Sequence, residues 1–132
     1  MRVLLDSNVW LAILTTDGFC RRVWREARHS CVFFASRDIL DEIAEKLRAK
    51  FGFSPRHARL MVSFVKEQTR LARILSTVGV CRDADDNRIL AAALDAGCSQ
   101  LVTGDSDLLV LKKFETVNVA TPREFLNLVS AA

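Results

Sequence analysis

No run in this chain approaches the roughly 18 uninterrupted apolar residues that a membrane span requires. The start, MRVLLDSNVW, carries an acid where the centre of a signal peptide would be apolar. The expectation is a soluble, cytoplasmic protein with no membrane partner. The four cysteines at 20, 31, 81 and 98 form no C-x-x-C pair, and His29 and His57 do not stand near them at zinc-ligand spacing. That argues against a structural zinc site or a disulfide framework, and each cysteine, set among apolar neighbours, reads as a small reduced core residue. There is also no linker rich in Gly, Ser or Pro, no internal repeat and no low-complexity segment. Nothing therefore calls for more than one domain, expected over residues 1–132.

What is present is apolar material for a core, 50% of 132 residues, and a mild basic excess of +3 with a pI near 8.9. Such a charge permits a polyanionic partner without demanding one. Its distribution is more informative. Basic residues crowd 21–28 (RRVWREAR) and 46–59 (KLRAKFGFSPRHAR), whereas acids concentrate at 83–86 and 105–107. An acidic spot beside basic stretches suits a metal site that handles a polyanion, although each basic stretch alone is equally a solvated helix face.

Short apolar runs without polar alternation recur at VLL (3–5), CVFFA (31–35), ILSTVGV (74–80), QLVT (100–103) and TVNVA (116–120). Strands of that kind are buried on both faces, which implies a parallel sheet covered by helices. Between them the pattern takes the helical period. Ile39, Leu40, Ile43, Ala44 and Leu47 share a face, and 89–94 is apolar nearly all round, so that helix should pack deeply. Thr121-Pro122-Arg123-Glu124 has the hydroxyl, proline and glutamate of a reciprocal helix cap, and Ser54-Pro55 opens another helix after Gly52. The expected fold class is α/β: a three-layer α/β/α sandwich on a central, mostly parallel sheet with right-handed crossovers.

Open parallel sheets collect ligands at the carboxyl ends of their strands. Here those ends carry aspartate: Asp6 closes the first strand, and Asp105 and Asp107 follow the strand LVTG. Asp83, Asp85 and Asp86 precede the buried helix. A single helix cap accounts for one of these three, and the remaining like charges cost energy unless a cation compensates them. On the helix after CVFFAS, Asp38, Asp41, Glu42 and Glu45 are all available, and periodicity does not choose among them. Glu42 alone reads as an ordinary i,i+4 partner of Lys46, and Asp107 is as readily a helix cap as a ligand. Taken together, several carboxylates expected at one point, without any Lys or Arg expected in the motifs, suit a hard cation, Mg²⁺ or Mn²⁺.

These motifs, LLDSNVWLA, S-x-x-IL-x-EI, CRDADDNRILAAAL, LVTGDSDLL and TPREFL, run in an order and spacing that resembles the PIN domain family, in its VapC-like branch of toxin-antitoxin ribonucleases. The resemblance implies an acidic quartet of Asp6, Glu42, Asp86 and Asp105, with Asp107 as accessory acid and Asp6, Asp86, Asp105 and Asp107 as metal ligands. It makes Asn8 and Thr103 supporting residues, and it marks Asn87 as a departure, since relatives often show Asp there. The implied reaction is metal-dependent hydrolysis of single-stranded RNA by water, leaving 5′-phosphate and 3′-hydroxyl ends. The want of a catalytic histidine pair argues against a cyclic-phosphate route. Phosphate contacts would fall to Arg21, Arg25, Arg28, Arg48, Lys50 and Arg56. Trp10 and Trp24 could stack on bases but read better as core. A small antitoxin and a second copy of the chain are the implied partners. Two alternatives stand beside this reading: a silent PIN-like RNA- or protein-binding module, and a Mg²⁺-dependent phosphatase, which would usually show D-x-D and a later lysine.

Overall fold

In the computed structural model, which describes residues 1–131, six strands form one sheet in the order β3-β2-β1-β4-β6-β5. Its strands are β1 (Arg2–Leu5), β2 (Val32–Ala35), β3 (Arg70–Leu71), β4 (Gln100–Val102), β5 (Lys113–Phe114) and β6 (Val117–Ala120). All neighbouring pairs are parallel except β5 with β6. Helices α1 (Ser7–Thr15), α2 (Phe19–Ala27), α3 (Arg37–Ala49), α4 (Pro55–Gln68), α5 (Ala84–Asp95), α6 (Ser106–Leu109) and α7 (Pro122–Ala131) flank the sheet.

The unbroken apolar strands do lie buried: Val3, Leu4 and Leu5 of β1, Phe33 to Ala35 of β2, and Gln100 to Val102 of β4. Each helix brings its apolar stripe to them. Ile39, Ile43 and Leu47 of α3 are completely buried, and α5 buries Ile89 through Ala93 in succession. At about 1.5–3 kcal/mol per large apolar side chain taken from water, these faces dominate the stability of the fold. Trp10 and Trp24 belong to this core, with ring centroids 5.1 Å apart, and Phe33 continues the aromatic stack at 4.9 Å from Trp24. Neither tryptophan is available to stack on a base.

Both sequence-marked helix caps form. Thr121 Oγ1 accepts from the Glu124 amide at 3.1 Å while Glu124 returns the bond to the Thr121 amide at 2.9 Å. Ser54 Oγ accepts from the His57 amide at 3.1 Å.

Two expectations are corrected. The run ILSTVGV at 74–80 is not a strand; the third strand is the short segment Arg70–Leu71, which continues directly from α4 and pairs with Phe34 and Ala35. The run is held instead as an irregular segment by Asp95, whose carboxylate accepts from the Leu75 and Ser76 amides at 2.6 and 2.7 Å, and Leu75 is 83% exposed. The second concerns cysteine: only Cys98 is fully buried, while Cys20, Cys31 and Cys81 are half-buried, though all four are free as expected. Burial pushes the Cys98 thiol up to about 11.

Among the described residues, no helix is long and apolar enough to cross a membrane.

Candidate active site

The acids gather where the parallel strands end. Asp6 follows β1 directly, and its amide bonds to the Val102 carbonyl at 2.9 Å, so the carboxylate is carried at the junction of β1 and β4. One carboxylate oxygen caps α1 by accepting from the Ser7 amide at 2.7 Å. The other accepts from the Thr103 hydroxyl at 2.8 Å and from Asn8 Nδ2 at 3.1 Å. Asn8 also accepts from the Gly104 amide at 3.0 Å, and Thr103 Oγ1 accepts from the Asp105 amide at 3.0 Å. Asn8 and Thr103 thus lace the end of β1 to the turn after β4 and fix the separation of Asp6 and Asp105. Asp6 is 3% exposed, and its carboxyl is raised above the usual range, first by burial and further by Glu42 and Asp105, against the lowering effect of the Thr103 and Ser7 bonds.

Three aspartates before α5 divide their tasks. Asp83 takes the helix cap, accepting from the Asp85 amide at 2.8 Å, and Asp85 is exposed. Asp86 is 7% exposed. Its carboxyl is pushed up to about 6 by burial, then by the charges of Asp105, Asp83, Asp6 and Asp107, with no hydrogen bond to oppose the rise. The turn after β4 divides in the same manner. Asp105 rather than Asp107 caps the short helix α6, accepting from the Asp107 amide at 2.9 Å. Asp107 is left exposed, 3.7 Å from Arg82.

Glu42 sits half-buried on α3 and close enough to Asp6 to raise its carboxyl, while its own Oε1 meets Lys46 Nζ at 2.8 Å. Both readings of Glu42 left open by periodicity therefore hold together: it is an i,i+4 partner and it borders Asp6. Asp38 pairs with Arg88. Asp41 and Glu45 are exposed.

The acids are thus not free of basic company, contrary to expectation. Arg82, Arg88 and Lys46 each pair with one of them. Two of the three, Arg82 and Arg88, flank the aspartates inside the acidic motif itself, CRDADDNR, so their proximity is legible in the sequence.

The six basic residues expected to hold phosphate are not gathered with the acids. Arg21 donates to the carbonyls of Ile13 and Leu14, at the end of α1 opposite Asp6, about 13 Å along the helix axis. Arg25 pairs with Asp17 at 3.6 Å, and Arg28 donates to His29. Arg48 and Lys50 lie at the far end of α3, whose N-terminus is the end that meets the carboxyl edge, with Lys50 over the Phe51 ring. Arg56 stands exposed in the first turn of α4.

A PIN domain family model matches residues 2–107, which include every acid of this cluster. The chain belongs to the PIN domain family. Its fold is shared with solved structures of low sequence identity. A VapBC2 structure from Rickettsia felis, bound to a DNA fragment from its promoter, aligns at 11% identity and a TM-score of 0.70, covering 92% of this chain and 98% of that one. The toxin VapC20 of Mycobacterium tuberculosis, which cleaves the sarcin-ricin loop, aligns at 16% and 0.64, covering 88% and 98%. A DNA-bound VapBC from Salmonella typhimurium aligns at 13% and 0.65, covering 92% and 98%. A sequence comparison with curated proteins finds no match.

Within this PIN domain the donor set suits a hard divalent cation by its chemistry. Its donors are carboxylate oxygens, and Asp86 is a buried acid with neighbouring negative charge and no hydrogen bond to compensate it. The geometry is open rather than closed: among the described residues no three acid, histidine or cysteine side chains converge tightly enough to enclose an ion.

Proposed function

We propose that this PIN domain is a metal-dependent endoribonuclease that hydrolyses single-stranded RNA, and that it acts as the toxin of a toxin-antitoxin pair. The observation that carries the reading is Asp86, a residue only 7% exposed whose carboxylate has no hydrogen-bond partner among the described residues and lies within reach of the charges of Asp105, Asp6 and Asp107. Like charges are assembled at such cost where a cation or a polyanion's transition state repays it. The ribonuclease VapC20 and the VapBC complexes share the fold, which supports the substrate class and a small antitoxin partner for this chain. Homodimerisation belongs to the same proposal.

Asp6, Asp86 and Asp105 would hold Mg²⁺ or Mn²⁺, with Asp107 as an outer acid. When bound, the cation acidifies a water and neutralises charge on the phosphoryl oxygens. The chain's own residues do the remaining work. Thr103 and Asn8 keep Asp6 in place through the bonds described above. Glu42 or Asp105 accepts the proton of the attacking water, and the products carry 5′-phosphate and 3′-hydroxyl ends. Arg82 and Arg88, exposed beside the acids, are better placed than Arg21 or Arg25 to contact the phosphates of the entering strand.

Two observations favour the silent-module alternative: Lys46 pairs with Glu42, and among the described residues the acids do not enclose an ion. The experiment that decides between them incubates the protein and Asp6→Asn with single-stranded and structured RNAs in Mg²⁺, Mn²⁺ or EDTA. Cleavage by wild type alone, and only with metal, is the expected result. RNA that is bound but never cut supports the module instead.

A further inference from the structure

The irregular segment between β3 and α5 is fastened at both ends by polar side chains of α5 itself. Near the helix C-terminus, Asp95 takes the Leu75 and Ser76 amides, together with the Ser76 hydroxyl. Near its N-terminus, Asn87 closes a ring with the backbone of one residue: its Oδ1 accepts from the Cys81 amide at 2.8 Å, and its Nδ2 donates to the Cys81 carbonyl at 3.0 Å. Cys81 is two residues before Asp83, the cap of α5, and three further residues lead to Asp86. The Cys81 thiol itself feels the charges of Asp86, Asp107, Asp105 and Asp83, which puts the clamped residue at the border of the acidic cluster.

We infer that Asn87 is a positioning residue for this site: its carboxamide clamps Cys81, so that Asp83 is held as the helix cap and Asp86 is left to face Asp6 and Asp105. This rests on the nuclease reading above for its consequence, though not for its geometry. The clamp needs a side chain of this length that both accepts and donates. An aspartate there accepts only, leaves the Cys81 carbonyl without its donor, and adds charge beside Asp86. Asn87 is therefore a fastener, and an added acid does not replace it.

The separation of Asp83 from Asp86 follows the same logic. Both lie in the first turns of one helix and both could take the cap. With Cys81 fixed, Asp83 is the residue whose backbone stands in the extended cap conformation, at φ −85° and ψ 125°. Releasing Cys81 frees the segment to shift along the helix end, where Asp86 loses its unpaired, inward placement.

The test pairs Mn²⁺ binding by calorimetry with residue-resolved amide exchange on full-length protein, for wild type, Asn87→Ala, Asn87→Asp and Asp95→Ala. Asn87→Ala is expected to bind Mn²⁺ roughly ten-fold more weakly, the scale typical of residues that orient metal ligands. Its Cys81 amide should exchange about five-fold faster or more. Asn87→Asp should bind Mn²⁺ no more tightly than wild type. Asp95→Ala should speed exchange at Leu75 and Ser76 while leaving Mn²⁺ affinity unchanged, which separates the clamp from general loosening of the segment. Wild-type Mn²⁺ affinity in Asn87→Ala, or tighter binding by Asn87→Asp, overturns the inference. A wild type that neither binds Mn²⁺ nor cuts RNA overturns the nuclease reading instead, and the clamp is then overturned only if Asn87→Ala leaves Cys81 exchange unchanged.

Discussion

Asp86 holds its proton up to about pH 6 in the folded protein, against 3.8 for an ordinary aspartate. Because the folded form binds the proton more tightly than the unfolded one, stability is greatest below about pH 4 for this group and is lost as pH rises toward 6. The difference corresponds to at most roughly 3 kcal/mol. Asp86→Asn should therefore flatten the pH dependence of metal-free stability across that window, measured by urea unfolding at pH 4 and pH 7, with the larger gain at pH 7. Added Mn²⁺ should stabilise wild type above pH 6 more than below it, since the ligand form is the deprotonated one. At the same scale, Asp6 was legible in the sequence because an acid straight after a buried strand has no ordinary place on the surface. Glu42 was not, since its neighbours Asp38, Asp41 and Glu45 share its helix and only the packing of α3 brings one of them beside Asp6.

Elements were read well where local chemistry and burial agree. The cap at Thr121 and Glu124 and the apolar stretch 89–94 of α5 needed no tertiary information. Elements were misread where the chain's edge decides the structure. β3 is two exposed residues held by pairing with β2, while the more apolar 74–80 is drawn into a loop by a carboxylate twenty residues away. The hairpin of β5 and β6 turns at Glu115-Thr116, with Glu115 at a φ of 53° and without the Asn or Gly that announces such a turn. Asp83→Ala should cost about 1 kcal/mol, a fall of a few degrees in melting temperature, and it should reduce cleavage more than Asp85→Ala, which removes an exposed acid without a cap bond.

For the whole molecule, the carboxyl edge was predictable from parallel topology, whereas the pairing of basic residues with the acids was not, because packing sets it: Arg88 meets Asp38 across fifty residues of sequence. Arg21 ties off α1, so Arg21→Ala should lower stability by about 1 kcal/mol and leave RNA affinity within two-fold of wild type, about two-fold being the margin allowed for indirect effects. Arg82→Ala should do the reverse, weakening RNA binding and reducing its salt dependence by roughly one contact, as read by binding titrations at several salt concentrations.

The most direct test of the acidic cluster as a nuclease centre is end-group mapping of RNA cleaved by wild type and by Asp86→Asn, with both proteins first shown to be folded. The account predicts 5′-phosphate and 3′-hydroxyl ends from wild type in Mn²⁺ and no cutting by Asp86→Asn or in EDTA. Cyclic-phosphate ends, or cleavage that persists in EDTA and in Asp86→Asn, would contradict it.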